Sequence, residues 1–261
     1  MPDNNTPTPR HKGIYVLPNL FTLAALFGGF YAIVMAMNAR FDLAAIGVFC
    51  AMVLDSLDGR VARMTNTQSE FGAQMDSLAD MVSFGAAPAL IVYEWALKDL
   101  GRWGWVAAFV YCACAALRLA RFNVNTEVID KRFFQGLPSP AAAALVIGFM
   151  WIMLELGFAG KDVSWLMFVV ALYAGLTMVT NVPFYSFKDM HFKKTVPFVV
   201  LVAIALVIAV IGLHPPSVLF VIFMLYGVSG YAIVIYKRIK GQPVSVISTS
   251  IDEPEEKGLH Q

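Results

Sequence analysis

Cysteine, histidine and charge are all scarce in this chain. The three cysteines, Cys50, Cys112 and Cys114, lie inside apolar runs. Cys112 and Cys114 point about 200° apart on a helix, so they make a poor metal pair and read as small buried hydrophobes. The four histidines, His11, His191, His214 and His260, are scattered and show no zinc spacing. Charged residues make up only 14% of the chain and hydrophobic ones 59%. With a mean hydropathy of +0.68, that excludes an ordinary soluble domain. The net formal charge of +1 gives no reason to expect nucleic acid as a partner. No repeat of fixed period is visible.

Long apolar runs are what the chain has in quantity. Residues 1–14 form a polar tail with Arg10 and Lys12. The run Leu17–Met37 is too long for a signal-peptide core and lacks a small-residue cleavage site, so it reads as a first membrane helix. Asn38–Asp42 is a turn. Further helices are expected over Leu43–Ala62, Phe71–Leu97, Trp103–Phe122, Ser139–Leu156, Val163–Val182, Thr195–Leu213 and Ser217–Tyr236. The longest loop, Asn123–Leu137, carries Lys131, Arg132 and Gln135. The expectation is an all-α, polytopic membrane protein of about eight spans. Its organisation is a tail over 1–14, one transmembrane domain over 15–238 and a polar, disordered tail over 239–261.

Lys and Arg are unevenly shared between the two sides of that arrangement. One side collects Arg10, Lys12, Arg60, Arg63, Arg118, Arg121, Lys131, Arg132, Lys188, Lys193, Lys194, Lys237, Arg238, Lys240 and Lys257. The other has Arg40, Lys98, Arg102 and Lys161. Cationic loops stay in the cytoplasm, so both termini and the aspartate cluster are expected to face it.

The exception to apolarity is Asp55–Asp80, DSLDGRVARMTNTQSEFGAQMDSLAD. Asp55 and Asp58 are i and i+3, Asp76 and Asp80 are i and i+4, and each pair shares a helix face. The polar stretch Met64–Ser69 can join two antiparallel helices and bring the pairs together. Each carboxylate deep in a bilayer costs about 2.5–3.5 kcal/mol on insertion scales, roughly 10 kcal/mol for four. Arg60 and Arg63 do not balance four negative charges. The shortfall points to hard divalent cations with oxygen ligands, Mg²⁺ or Mn²⁺. Two such ions bridged by carboxylates suit displacement at phosphorus. Gly59 and Gly72 permit close approach of a ligand or a second helix, and Arg63 can clamp phosphate oxygens. Asn19 and Thr22, i and i+3 on the first helix, can face this region, and no role is assigned to them.

The spacing Asp55-x-x-Asp58-Gly59-x-x-Ala62-Arg63, then eight residues, then Gly72-x-x-x-Asp76-x-x-x-Asp80 resembles the signature of the CDP-alcohol phosphotransferases at every fixed position. The resemblance implies a six-helix core, here with two added C-terminal helices, usually dimeric. It also implies transfer of a substituted phosphoryl group from a CDP-linked donor to an alcohol, with release of CMP. Asp55, Asp58, Asp76 and Asp80 would be ligands of two metal ions and Asp80 also the general base. Gly59, Ala62, Arg63 and Gly72 would contact the nucleotide and diphosphate.

Two further runs, Leu117–Asn123 (LRLARFN) and Phe134–Ala141 (FQGLPSPA), resemble the bacterial members of that family that join CDP-diacylglycerol to L-serine and make phosphatidylserine. An amino-acid acceptor carries a carboxylate. Arg118 and Arg121 share a helix face and can bind one, and Gln135 is placed with them as a further acceptor-side group. Ser139 and Pro140 begin a helix whose N-terminus favours an anion. The same arginines can hold lipid phosphate or serve as interfacial anchors. Glycerol 3-phosphate and inositol stay open as acceptors on physical grounds. A reading from another class, a cation-coupled transporter, fits less well, because the acids lie toward one side and not at midplane.

Overall fold

In the computed structural model, residues 16–65, 67, 69–124, 133–186 and 198–240 are described. Both terminal tails lie outside these residues, as do Lys131, Arg132, Lys188, Lys193, Lys194 and Lys257. Helix α1 (Val16–Met37) turns at Asn38–Arg40 into α2 (Phe41–Thr65) and packs along it. The next helical span, Glu70–Trp95, has three parts: α3 (Glu70–Asp80), a π-helical turn (Met81–Ala86) and α4 (Ala87–Trp95). After α5 (Arg102–Val124) come strand β1 (Phe133–Gln135), α6 (Ser139–Glu155), α7 (Ser164–Val179) and strand β2 (Pro183–Tyr185). Helices α8 (Phe198–Leu213) and α9 (Pro215–Ile239) follow.

The π turn goes with a proline and a tertiary hydrogen bond. Pro88 has no N–H to give to the carbonyl four residues back, Phe84 O. That carbonyl instead accepts from the Tyr111 hydroxyl on α5 at 3.0 Å. Ser83, inside the same turn and fully buried, donates to Ala25 O on α1 at 3.1 Å. A Cβ on Gly29 would come within 2.7 Å of Ser83 Cα, so α1 meets the turn only because residue 29 is glycine. A π turn inserts one residue and rotates the helix on either side of it. Here it falls immediately after Asp80.

Helix α6 is the middle of the bundle. Ala141 to Met150 are all buried, and α2, α4, α7 and α9 pack around it. Its alanine run lets those backbones approach closely, as apolar helices need when lipid removes the hydrophobic drive between them. Helix α9 attaches to α7 by hydrogen bonds, Tyr173 Oη to Gly227 O and Thr177 Oγ1 with Tyr231 Oη, each at 2.9 Å.

Among the described residues, four helices are long and apolar enough to cross a membrane: Pro18–Met37, Glu70–Trp95, Arg102–Val124 and Pro215–Ile239. Helices α6 and α7 are apolar but shorter, at 17 and 16 residues. Large apolar side chains such as Phe27, Phe30, Trp105, Phe109, Trp165 and Leu225 face outward, a surface that suits lipid. The chain is an all-α membrane protein with one addition. Phe133–Gln135 pairs antiparallel with Pro183–Tyr185, Phe134 opposite Phe184. Strands of three residues carry no periodic signal, so the loop and the helix end expected there did not announce them. The helix expected to reach Val182 stops at Val179, where Thr180 turns extended and leads into β2.

Candidate active site

Two helices supply the acidic motif. Helix α2 carries Asp55, Asp58, Gly59, Ala62 and Arg63, and α3 carries Gly72, Asp76 and Asp80. The turn between them is pinned at both ends. Thr67 N donates to Ala62 O at 3.1 Å as α2 ends. Ser69 caps α3, its Oγ accepting from Gly72 N at 3.0 Å. The turn thereby lets Asp55 of α2 meet Asp76 and Asp80 of α3.

The carboxylates of Asp55, Asp76 and Asp80 each place an oxygen within 4.8 Å of the others. Asp80 Oδ1 is buried and has no hydrogen-bond partner among the described residues. Arg118 on α5, 8% exposed, lies near enough to Asp80 to act on it electrostatically. One guanidinium against three clustered carboxylates leaves a strong excess of negative charge in a poorly solvated place. An orphaned oxygen in an all-oxygen donor set is what a hard divalent cation fits. These residues fit Mg²⁺ or Mn²⁺.

Asp58 is placed differently from the other three. It is 6% exposed, and its Oδ2 accepts from Thr22 Oγ1 on α1 at 2.8 Å. It borders a cavity of about 420 Å³ whose lining includes Pro18, Asn19, Thr22, Gly59, Ala62, Arg63, Gly72 and Asp76. That volume is in the range of small-molecule sites. All four residues expected at the nucleotide and diphosphate line it, and Asp76 belongs to both the cavity and the acidic cluster. Space is tight at Gly72, where a Cβ would lie 3.2 Å from Ser69 Oγ and 3.4 Å from Asn19 Oδ1. Thr67, Ser69, Ala73 and Phe122 complete the wall. The sequence reading gave Asn19 and Thr22 no role, because a threonine inside an apolar helix looks the same whether it packs or holds a carboxylate.

The residues expected on the acceptor side separate into two groups. Arg118 Nη1 donates to Ser139 Oγ at 2.7 Å, and Ser139 is fully buried at the start of α6. Arg121 does not join them at the acids. Its Nη1 donates to Val179 O and Asn181 Oδ1, and its Nη2 to Gln135 O, Met178 O and Thr180 O, at 3.1–3.3 Å. Gln135 Nε2 donates to Asn181 Oδ1 at 2.8 Å.

A helical membrane core with paired acidic helices beside a cavity defines a class, and comparison with known proteins names it. The family described as CDP-alcohol phosphatidyltransferase matches residues 15–184, and the chain belongs to that family. Within it the chain is similar to proteins that share one name. A Helicobacter pylori protein named CDP-diacylglycerol–serine O-phosphatidyltransferase is 36% identical over 230 residues, 87% of this chain and 95% of that protein. Proteins of the same name from Mycobacterium leprae and Methanocaldococcus jannaschii are 32% and 33% identical. Those alignments cover 85% and 70% of this chain, and 76% and 82% of the relatives.

Proposed function

We infer that the chain is a phospholipid-synthesising enzyme that moves the phosphatidyl group of CDP-diacylglycerol to the hydroxyl of L-serine, forming phosphatidylserine and releasing CMP. The observation that carries this is the edge shared by the acidic cluster and the cavity at Asp76. A diphosphate lying in the cavity beside Gly59, Ala62, Arg63 and Gly72 has its lipid-side phosphorus next to Asp55, Asp76 and Asp80. The family and the shared name of the relatives support the same reading.

Asp55, Asp58, Asp76 and Asp80 would hold two divalent ions, Mg²⁺ or Mn²⁺, which neutralise diphosphate charge and acidify a nearby hydroxyl. The glycines leave the diphosphate room to approach the backbone, and Arg63 pairs with its oxygens. Arg118, with Ser139 and the start of α6, takes the serine carboxylate and orients the hydroxyl toward the acids. Asp80 accepts the hydroxyl proton. The serine oxygen forms a bond to the lipid-side phosphorus as the phosphorus–oxygen bond to CMP breaks, and CMP leaves as an anion.

The same reading places the protein in a bacterial inner membrane as a homodimer with eight spans, α3 and α4 forming one of them. Six spans make the catalytic core and α8 and α9 follow it, within a transmembrane domain over residues 15–238 flanked by polar tails. Both termini and the acids face the cytoplasm, in keeping with the lysines and arginines gathered on that side.

The test is CMP release by purified protein from CDP-diacylglycerol in detergent, with Mn²⁺ or Mg²⁺ and with each acceptor in turn. Serine-dependent release abolished by chelator is the expected result. Release driven by glycerol 3-phosphate or inositol and not by serine would overturn the acceptor. No release with any acceptor would overturn the reaction.

A further inference from the structure

The two arginines of α5 lie one turn apart and have different surroundings. Arg118 is nearly buried beside Asp80. Arg121 is half-buried, and both its terminal nitrogens are taken up by acceptors from two other parts of the chain. Three of them, the carbonyls of Met178, Val179 and Thr180, belong to the end of α7, where carbonyls lose their helical partners and the dipole is negative. A fourth is Gln135 O on β1. One guanidinium thus joins the end of α5 to the end of α7 and to the strand that leads into α6.

That strand–helix joint is held at every step. Gly136 N donates to Val182 O at 2.9 Å and Leu137 N to Thr177 O at 3.1 Å. Gly136 takes φ 78°, and a Cβ there would lie 2.9 Å from Thr180 O. Three residues later comes Ser139, the hydrogen-bond partner of Arg118. The LRLARFN and FQGLPSPA runs are therefore one hydrogen-bonded unit, with Arg118–Ser139 at one end and Arg121–Gln135 at the other.

We propose that Arg121 is a positioning residue for the acceptor: it never touches serine, but locks the Gln135–Ser139 joint against α7 so that Ser139 meets Arg118 beside the acids. This rests on the serine reading above and refines it. The fork geometry of a guanidinium is what lets one side chain answer carbonyls from two directions, and an ammonium lacks it.

The experiment measures KM for L-serine and for CDP-diacylglycerol in wild type, Arg121→Ala, Arg121→Lys, Ser139→Ala and the Arg121→Ala/Ser139→Ala double variant. Wild-type serine dependence tests the parent reading by itself, and its absence would remove that reading and this one together. Given that dependence, Arg121→Ala raises the serine KM about tenfold while the donor KM stays nearly unchanged. Arg121→Lys behaves similarly, and it carries the test if the alanine variant does not fold. The double variant is no worse than the poorer single variant, because both changes act through one contact. Multiplicative effects in the double variant, or a wild-type serine KM in Arg121→Lys, would overturn the positioning role. A general loss of packing would raise both KM values together, and that too would count against it.

Discussion

Replacing Thr22 with valine removes one hydroxyl and keeps the shape of the side chain. Thr22 is 4% exposed, and its Oγ1 lies 2.8 Å from Asp58 Oδ2 and 3.3 Å from Pro18 O. A hydroxyl has one hydrogen, and the shorter contact to the carboxylate takes it. A hydrogen bond to a charged group contributes about 1.5–3 kcal/mol. At about 1.4 kcal/mol per tenfold, the loss is about 10- to 150-fold in whatever equilibrium uses an oriented Asp58. With Asp58 as a metal ligand, that equilibrium is metal binding, where a hydrogen bond behind the ligand sets its direction. The assay is Mn²⁺ titration of purified protein by electron paramagnetic resonance, alongside the Mn²⁺ dependence of CMP release. Thr22→Val is expected to need that much more metal, whereas Thr22→Ser, which keeps the hydroxyl, stays close to wild type. A folded Thr22→Val protein with wild-type Mn²⁺ affinity would refute the idea that α1 orients Asp58.

Three other variants test other parts of the structure. Asp80→Asn keeps the volume and removes the proposed base, so kcat should fall roughly 10²–10⁴-fold while CDP-diacylglycerol binding persists; substantial turnover would move the base elsewhere. Gly136→Ala meets both a positive φ and Thr180 O, and should lower stability by about 1–2 kcal/mol or more. An unchanged melting temperature in detergent would contradict that geometry. Tyr111→Phe strands Phe84 O opposite Pro88 and should cost about 1–3 kcal/mol. A variant as stable as wild type would show that the π turn satisfies its carbonyl in another way.

Much of the helical frame was readable because apolar runs and capping residues are local signals. Ser139-Pro140 marked the start of α6 to the residue, and Asn38 marked the turn between α1 and α2. The π turn was not readable, since it goes with a hydroxyl on another helix meeting the carbonyl that Pro88 cannot use. The β pair was equally hidden, because its two strands lie almost fifty residues apart and each is too short for a pattern. At the site, the spacing of the aspartates was enough to pair Asp55 with Asp58 and Asp76 with Asp80 on helix faces. It was not enough to divide them into the group Asp55, Asp76 and Asp80 and a separate Asp58 held by Thr22.

Covalent order and side-chain chemistry by themselves made this a membrane protein with an acidic, metal-suited motif. Burying apolar runs and placing carboxylates one helical turn apart follow from the chain's own periodicity. Tertiary structure decided which polar groups serve which partners. Arg118 and Arg121 are the same residue type on the same helix face, one turn apart. One reached the acids and the other the carbonyls of α7, because the start of α6 meets α5 at Arg118 and the end of α7 meets it at Arg121. No property of α5 alone contains that difference.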